Sequence, residues 1–224
     1  MVAKFENINK TFCTSAGTFN WNEKTSINLN KGEILLITGK SDYSQKSLLT
    51  LMGCLINPNE GILEINGKNI NLLRYEEMVS IKLQSIAYIF QQHNLFTSMN
   101  LEQNVAFPLK LQKTNSDEIR RSTSQALKTV DMYEHRKKMP KQLSPLESQR
   151  ILIARALIVN PEIIVCDKPT AFLDRQSGVI IMEKLKELAQ QGKIIVILNH
   201  DSRYNEYAHR AVEVKNNIVK ELYL

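Results

Sequence analysis

Gly39-Lys-Ser-Asp-Tyr-Ser-Gln-Lys-Ser-Leu-Leu-Thr-Leu-Met-Gly53 decides the fold through what stands on either side of it. Just before it, Glu33-Ile-Leu-Leu-Ile-Thr38 is a short, almost wholly apolar run, the composition of a strand buried on both faces. From about Gln45 to Leu55 the apolar spacing predicts a helix. A glycine that closes a buried strand and precedes a helix marks the place where an α/β chain builds a phosphate-binding loop.

Working outward, Ile86-Ala-Tyr-Ile-Phe90, Ile163-Ile-Val-Cys-Asp167 and Ile194-Ile-Val-Ile-Leu198 repeat the buried-strand composition. After Ser177, Ile180, Ile181, Met182, Leu185 and Leu188 fall at helical spacing. Strands alternating with helices imply an α/β fold around a largely parallel sheet. Two regions differ from this pattern. Gly61-Ile-Leu-Glu-Ile-Asn-Gly67 alternates between glycines like one strand of an antiparallel hairpin region. Between about 91 and 160 no good strand occurs, and Ser116-Asp-Glu followed by Ile119, Ala126, Leu127 and Val130 predicts an N-capped amphipathic helix. The expected organisation is one domain. Residues of about 1–90 and 161–224 form an α/β core with an antiparallel β subdomain, and about 91–160 form an inserted helical subdomain.

The 224 residues are 43% hydrophobic and 23% charged, enough for a substantial core. No run of about 18 apolar residues appears, and the N-terminus lacks a signal-peptide core, so a cytoplasmic protein is expected. Cys13, Cys54 and Cys166 are odd in number and lack metal-ligand spacing, which suits reduced thiols without a chemical role. The net charge is +6, and much of it lies between Lys110 and Lys141. That basic stretch reads as a solvated helical face, diluted by Asp117, Glu118, Asp131 and Glu134, or as a surface for anionic lipid or an acidic partner. No aromatic-interleaved basic motif is present, so nucleic acid is not an expected partner.

Taken with later segments in order and spacing, the Gly39–Gly53 stretch resembles the ABC ATPase family over the whole chain. Phe90-Gln-Gln-His-Asn-Leu stands at the Gln loop, Leu143-Ser-Pro-Leu-Glu147 at the signature, and Ile163-Ile-Val-Cys-Asp-Lys168 at Walker B. Leu173-Asp174 stands at the D-loop and His200 at the switch histidine. Leu101-Glu-Gln-Asn-Val-Ala-Phe-Pro-Leu109 and Arg150-Ile-Leu-Ile-Ala-Arg-Ala-Leu157 are most similar to the lipoprotein-release, macrolide-export and cell-division branch. The resemblance implies a P-loop NTPase-like core, ATP and Mg²⁺ as cofactors, and an integral-membrane permease partner. It also implies a dimer, with itself or a second nucleotide-binding subunit, peripheral on the cytoplasmic face of the inner membrane.

Where the family reads G-x-x-G-x-G-K-S-T, this chain has Gly39, Asp42, Ser44, Gln45, Lys46 and Ser47 at the six matching places. Family glycines let backbone N–H groups curl around phosphate; Asp42 brings a carboxylate there, and Ser44 restricts the backbone. Gln45 in place of lysine exchanges a charge-assisted hydrogen bond of about 1.5–3 kcal/mol for a neutral one of about 0.5–1.5 kcal/mol. Lys46 replaces the hydroxyl that holds Mg²⁺, so an ion pair with Asp167 filling the metal's place is expected. Two other readings of Lys46 stay open: it turns to solvent, or it stands in for the metal and permits Mg-independent nucleotide binding. Lys168 takes the place of the general-base glutamate, whose loss typically removes about 10²–10⁴ in rate.

At the signature, Ser144, Pro145, Leu146 and Glu147 form a capping box: serine at the cap, proline at the first helical position, glutamate reaching back. Glu147 would also repel a triphosphate arriving from a second subunit. Gln91, Leu173, Asp174 and His200 match the family, although His200 also reads as a hydrogen-bonded strand-end residue. Phe12 stands where an aromatic stacks on adenine, or is a core phenylalanine. The expectation is weak or absent ATP binding, no metal site, and a pseudo-ATPase that scaffolds or regulates a cell-division-type or macrolide-exporter-type membrane subunit. The alternative is a weak or asymmetric ATPase powering lipoprotein release or export of small molecules or peptides.

Overall fold

The computed structural model describes residues 2–14, 17–20, 24–39, 42–92, 94–215 and 218–222, with the side chains of 12–14, 17–20 and 42 excepted. The chain opens with β1 (Ala3–Asn9), a hairpin of β2 (Thr11–Thr14) and β3 (Gly17–Asn20), and β4 (Thr25–Leu29). Then come β5 (Ile34–Gly39), α1 (Asp42–Met52), β6 (Glu60–Ile65), β7 (Lys68–Asn69), α2 (Tyr75–Ser85) and β8 (Ile86–Ile89). Helices α3 (Leu101–Leu111), α4 (Ser116–Thr129) and α5 (Pro145–Leu157) follow. The remainder is β9 (Ile163–Asp167), α6 (Arg175–Gln190), β10 (Ile194–Leu198), β11 (Arg210–Lys215) and β12 (Ile218–Leu222).

The principal sheet has the order β12-β11-β5-β10-β9-β8, parallel except for β12. Its central strands read as continuous apolar runs because both faces are covered. Leu35, Ile37, Val165 and Val196 pack with Leu48, Leu49 and Met52 of α1 on one side. Ile34, Leu36, Ile164 and Ile195 pack with Ile151 of α5 and Leu185 of α6 on the other. The alternation of one strand's residues between the two clusters is the period-two rule of the pleat. The second sheet, β4-β1-β6-β7, is antiparallel, as the Gly61–Gly67 pattern implied. Phe5, Leu29 and Leu63 join its inner face to the α1 side of the core.

Two boundaries differ from the sequence pattern. The helix expected from Ser116 is capped one residue earlier, where the Asn115 side chain accepts from Glu118 N–H. More consequentially, α1 begins at Asp42 rather than near Gln45. Residues 42–44 contain no glycine, and without one nothing favours the positive φ that holds a loop open, so they wind into the first helical turn. Between 91 and 160 the described residues carry helices and no strand. Among the described residues no helix is long and apolar enough to cross a membrane.

Candidate functional site

The ends of β5, β8, β9 and β10 lie side by side at one edge of the parallel sheet, the place where open α/β sheets present their sites. At the end of β5, Gly39 has φ 143°, and a Cβ there would lie 2.2 Å from the Val214 carbonyl oxygen and 2.6 Å from Gln45 Nε2. A side chain at this position has no room. Positions 40 and 41 lie outside the described residues, as does the side chain of Asp42.

Gln45 is wholly buried, and neither of its amide atoms has a hydrogen-bond partner among the described residues. Such a group costs about 1–3 kcal/mol of unrecovered desolvation. Two residues on, the Ser47 hydroxyl donates to the Tyr43 carbonyl at 2.8 Å and is directed back along the helix. Between them, Lys46 extends towards the end of β9, where its Nζ lies 3.2 Å from Asp167 Oδ2. Asp167 is 2% exposed, the Lys46 side chain is 58% exposed, and Asp167 Oδ1 has no hydrogen-bond partner among the described residues. The ion pair expected between these two residues is therefore present. Gln91, just past β8, joins them in a small cleft of about 270 Å³ that Phe90, Gln92 and Asn94 also line.

Mg²⁺ requires a near-octahedral shell of oxygen ligands. Here an ammonium takes one oxygen of Asp167, Lys46 brings no oxygen to the place where the resemblance puts a metal-holding hydroxyl, and no three His, Cys, Asp or Glu side chains among the described residues gather to hold a metal. These residues do not fit the magnesium ion that the resemblance implies.

Lys168 follows directly on β9 with φ 47° and is half-buried, its N–H donating to Leu198 O at 2.9 Å. A non-glycine residue in that region carries about 1–3 kcal/mol of backbone strain, so the local geometry is held by its surroundings rather than by lysine's own preference. His200 is exposed at the end of β10 and lines a separate cavity of about 220 Å³ with Thr38, Gly39, Asn199 and Ser202. It does not join Lys46 and Asp167 in their cleft.

Ser144, Pro145, Leu146 and Glu147 open α5 as the capping pattern required. Ser144 Oγ accepts from Glu147 N–H at 3.2 Å, and Glu147 Oε2 accepts from Ser144 N–H at 2.8 Å. Lys138 Nζ takes the other carboxylate oxygen at 3.3 Å. The Ser144 backbone N–H, followed by further hydrogen bonds from Ser144 and Lys138, holds the Glu147 carboxyl below the usual carboxylate range. At the D-loop place, Leu173 packs against the core. Asp174 caps α6, accepting from Ser177 N–H at 2.9 Å and from the Ser177 hydroxyl at 2.7 Å. Phe12 lies on β2, and its side chain is outside the described residues.

Three groups near the site carried no signal that singled them out. The Tyr88 hydroxyl is buried without a partner among the described residues, and its ring stacks on Phe90 with centroids 4.4 Å apart. Asn199 is buried; its Oδ1 accepts from the N–H groups of His200 and Asp201, while its Nδ2 has no partner among the described residues. Arg155 of α5 donates to both the carbonyl and the side-chain oxygen of Asn94, tying the helical segment to the loop after β8. Such contacts depend on packing between distant segments rather than on local pattern.

A family model described as ABC transporter matches residues 23–171. Over 220 residues, 97% of this chain, the sequence is 32% identical to the macrolide export ATP-binding/permease protein MacB of Campylobacter fetus subsp. fetus, covering 34% of that protein. It is 34% identical over 220 residues to the methionine import ATP-binding protein MetN 2 of Bacillus cereus, covering 97% of this chain and 65% of that one. The chain thus spans about a third of the length of the MacB relatives it matches. Among solved structures, the dimeric post-hydrolysis state of the ATP-binding cassette MJ0796 bound to ADP and Pi superimposes with a TM-score of 0.86. It is 33% identical, covering 99% of this chain and 98% of that one. Sheet order, strand-end site and these similarities agree: the chain belongs to the ABC transporter family.

Proposed function

We propose that this chain is the nucleotide-binding-domain subunit of a bacterial ABC-type membrane complex, that it is a pseudo-ATPase, and that it scaffolds or regulates its permease. The observation that carries the reading is the 3.2 Å pair between Lys46 and the buried Asp167. It puts a tethered cation where the family resemblance calls for a metal ion. Support comes from around it. Gln45 supplies no charge to a phosphate, and Lys168 brings no carboxylate to accept a proton from water. Ser144 and Glu147 occupy each other's N–H groups at the start of α5, where the signature would offer N–H groups to a nucleotide on a second subunit.

Assembly has its own support. An apolar groove of about 500 Å³ runs between β8, the segment after it, α3 and α5, and its rim leaves Leu83, Phe90, Phe96 and Leu111 exposed. Exposed apolar surface of this kind marks an interaction site. It lies beside Gln91, where the family docks its membrane subunit. Copurification with a permease encoded alongside it, followed by ATPase assay of the complex, tests the reading. Stable assembly with turnover no greater than that of the Asp167→Ala variant is expected; Asp167-dependent turnover of the assembled complex would overturn it.

A second reading has one observation in its favour. The buried Gln45 amide and Asp167 Oδ1 are unpartnered, as groups awaiting a polar ligand are. On that reading Lys46 substitutes for the metal, and nucleotide binds without Mg²⁺ in a weak or asymmetric ATPase that powers lipoprotein release or export. ATP affinity unchanged by a chelator is its test.

A further inference from the structure

A second cleft, of about 490 Å³, opens between α4, the end of α5 and the turn that joins α6 to β10. Asn160 and Lys193, which line it, stand just before the parallel strands β9 and β10. The cleft therefore lies at the starts of these strands, opposite the ends that carry Asp167 and His200. Helix α4 brings Arg121, Ser122, Gln125 and Thr129 to it, and the turn brings Gln191 and Lys193. The rest of the wall is apolar, formed by Ala126, Leu157, Ile158 and Leu188, and no acidic residue lines the cleft.

Both cations lack an acid. On α4 Arg120 pairs with Asp117, whereas its neighbour Arg121 makes no ion pair among the described residues. The Lys193 ammonium donates to two neutral oxygens, Asn160 Oδ1 at 2.6 Å and Pro161 O at 2.7 Å, which leaves one of its three N–H groups. Burial lowers its pKa by more than the charge of Glu162 raises it.

The helix ends that border the cleft have their carbonyls occupied. Asn160 N–H donates to Leu157 O at 2.8 Å, Gly192 N–H to Ala189 O at 2.7 Å and Lys193 N–H to Leu188 O at 3.1 Å. Carbonyls capped in this way offer little to an incoming cation. The capacity left over is that of donors: the Arg121 fork, one N–H of Lys193 and the side-chain amides of Gln125 and Gln191. A phosphate or a carboxylate complements such a set, because charge-assisted bonds are about twice as strong as neutral ones. The apolar wall asks for a hydrocarbon or aromatic body behind the anion, and the volume suits a small molecule.

We propose that this cleft binds a small organic anion, an apolar body bearing a phosphate or a carboxylate, held by Arg121 of α4 and Lys193 of the turn before β10. The site is separate from the cleft of Lys46 and Asp167. Because its two cations stand on different segments, a bound anion ties α4 to the start of β10.

Phenyl phosphate, benzoate and the uncharged control phenol, titrated into the isotope-labelled full chain while backbone amide shifts are followed, test it. At least one of the two anions is expected to saturate at about millimolar concentration or below, shifting the amides of Thr129, Asn160 and Gln191. Its affinity should fall as salt rises, and phenol should bind at least about tenfold more weakly. Arg121 is exposed on its helix, so Arg121→Gln tests the site without loss of the fold; it should weaken binding about fivefold or more, and Arg121→Lys should restore part of the loss. Lys193→Gln should weaken binding about tenfold or more. Lys128→Gln, outside the cleft, and Lys46→Met should leave affinity within about twofold. An equal loss with Lys128→Gln and Arg121→Gln would mean diffuse attraction to a basic surface and overturn the proposal. Shifts centred on Gln45 that Lys46→Met abolishes would place the anion at the strand ends and overturn it too. So would the absence of any saturable shift, or equal binding of phenol. Arg121-dependent retention on anionic vesicles, with neither anion bound, would assign these cations to a membrane surface and likewise overturn it.

Discussion

Breaking the Lys46–Asp167 pair should destabilise the protein by an amount set by how exposed the lysine is. At 3.2 Å the attraction is about 5 kcal/mol at an effective dielectric constant of 20 and about 1.3 kcal/mol in bulk water. Asp167 sits at the low-dielectric end, 2% exposed, but Lys46 is 58% exposed and its charge is well screened. Solvent therefore wins over burial on the lysine side, and the expected net coupling is about 1–2 kcal/mol. A double-mutant cycle of Lys46→Met, Asp167→Asn and the combined variant, followed by urea unfolding, measures it free of unrelated effects of each change. For a chain of 224 residues the single Lys46→Met substitution should lower Tm by about 2–8 °C. A coupling energy within about 0.3–0.5 kcal/mol of zero, the limit at which independent sites add, would mean that the ammonium and the carboxylate do not interact and that the metal's place is open.

Replacing the buried, unpartnered Gln45 by Met should stabilise the protein by about 1–3 kcal/mol, since an apolar chain of similar shape removes an unsatisfied amide; a loss in urea midpoint would show that the amide is satisfied in solution. The Glu147 carboxyl is held below its ordinary value of 4.5 in the folded state, so the stability it contributes is fully present above about pH 4.5 and is lost as pH falls through the lowered value. The Tm advantage of the wild type over Glu147→Gln should accordingly shrink between pH 6 and pH 3, and a constant difference would refute the capping assignment. Burial pushes the Cys54 thiol up to about 12 and also raises Cys166, so at pH 8 a thiol reagent should modify at most one of the three cysteines in the native protein and all three in guanidinium. Rapid native modification of two or more would show that the core around Cys54 or Cys166 opens readily.

The parts of the molecule that were legible in advance are those in which one residue type has one strong reason to be where it is. Four apolar runs marked four strands of the principal sheet, because only strands covered on both faces need no polar residues. The Ser144–Glu147 box was legible from local spacing alone, and the Lys46–Asp167 pair from the family resemblance that sets both residues at one metal's place. The start of α1 was not: loop and helix compete over 42–44, and the tie is settled by packing of Leu48 and Leu49 beneath the sheet as well as by local propensity. Nor did the pattern foresee the Arg155–Asn94 contact, 61 residues apart, or the unpartnered amides of Gln45 and Asn199, which arise only when distant segments close over them.

Equilibrium titration of the purified protein with ATP, with Mg²⁺ present and then with a chelator, bears most directly on whether this ABC subunit has left ATP hydrolysis behind. The expected result is no magnesium-dependent gain in affinity and no steady turnover. Tight binding that requires Mg²⁺, accompanied by hydrolysis that Asp167→Ala abolishes, would contradict it.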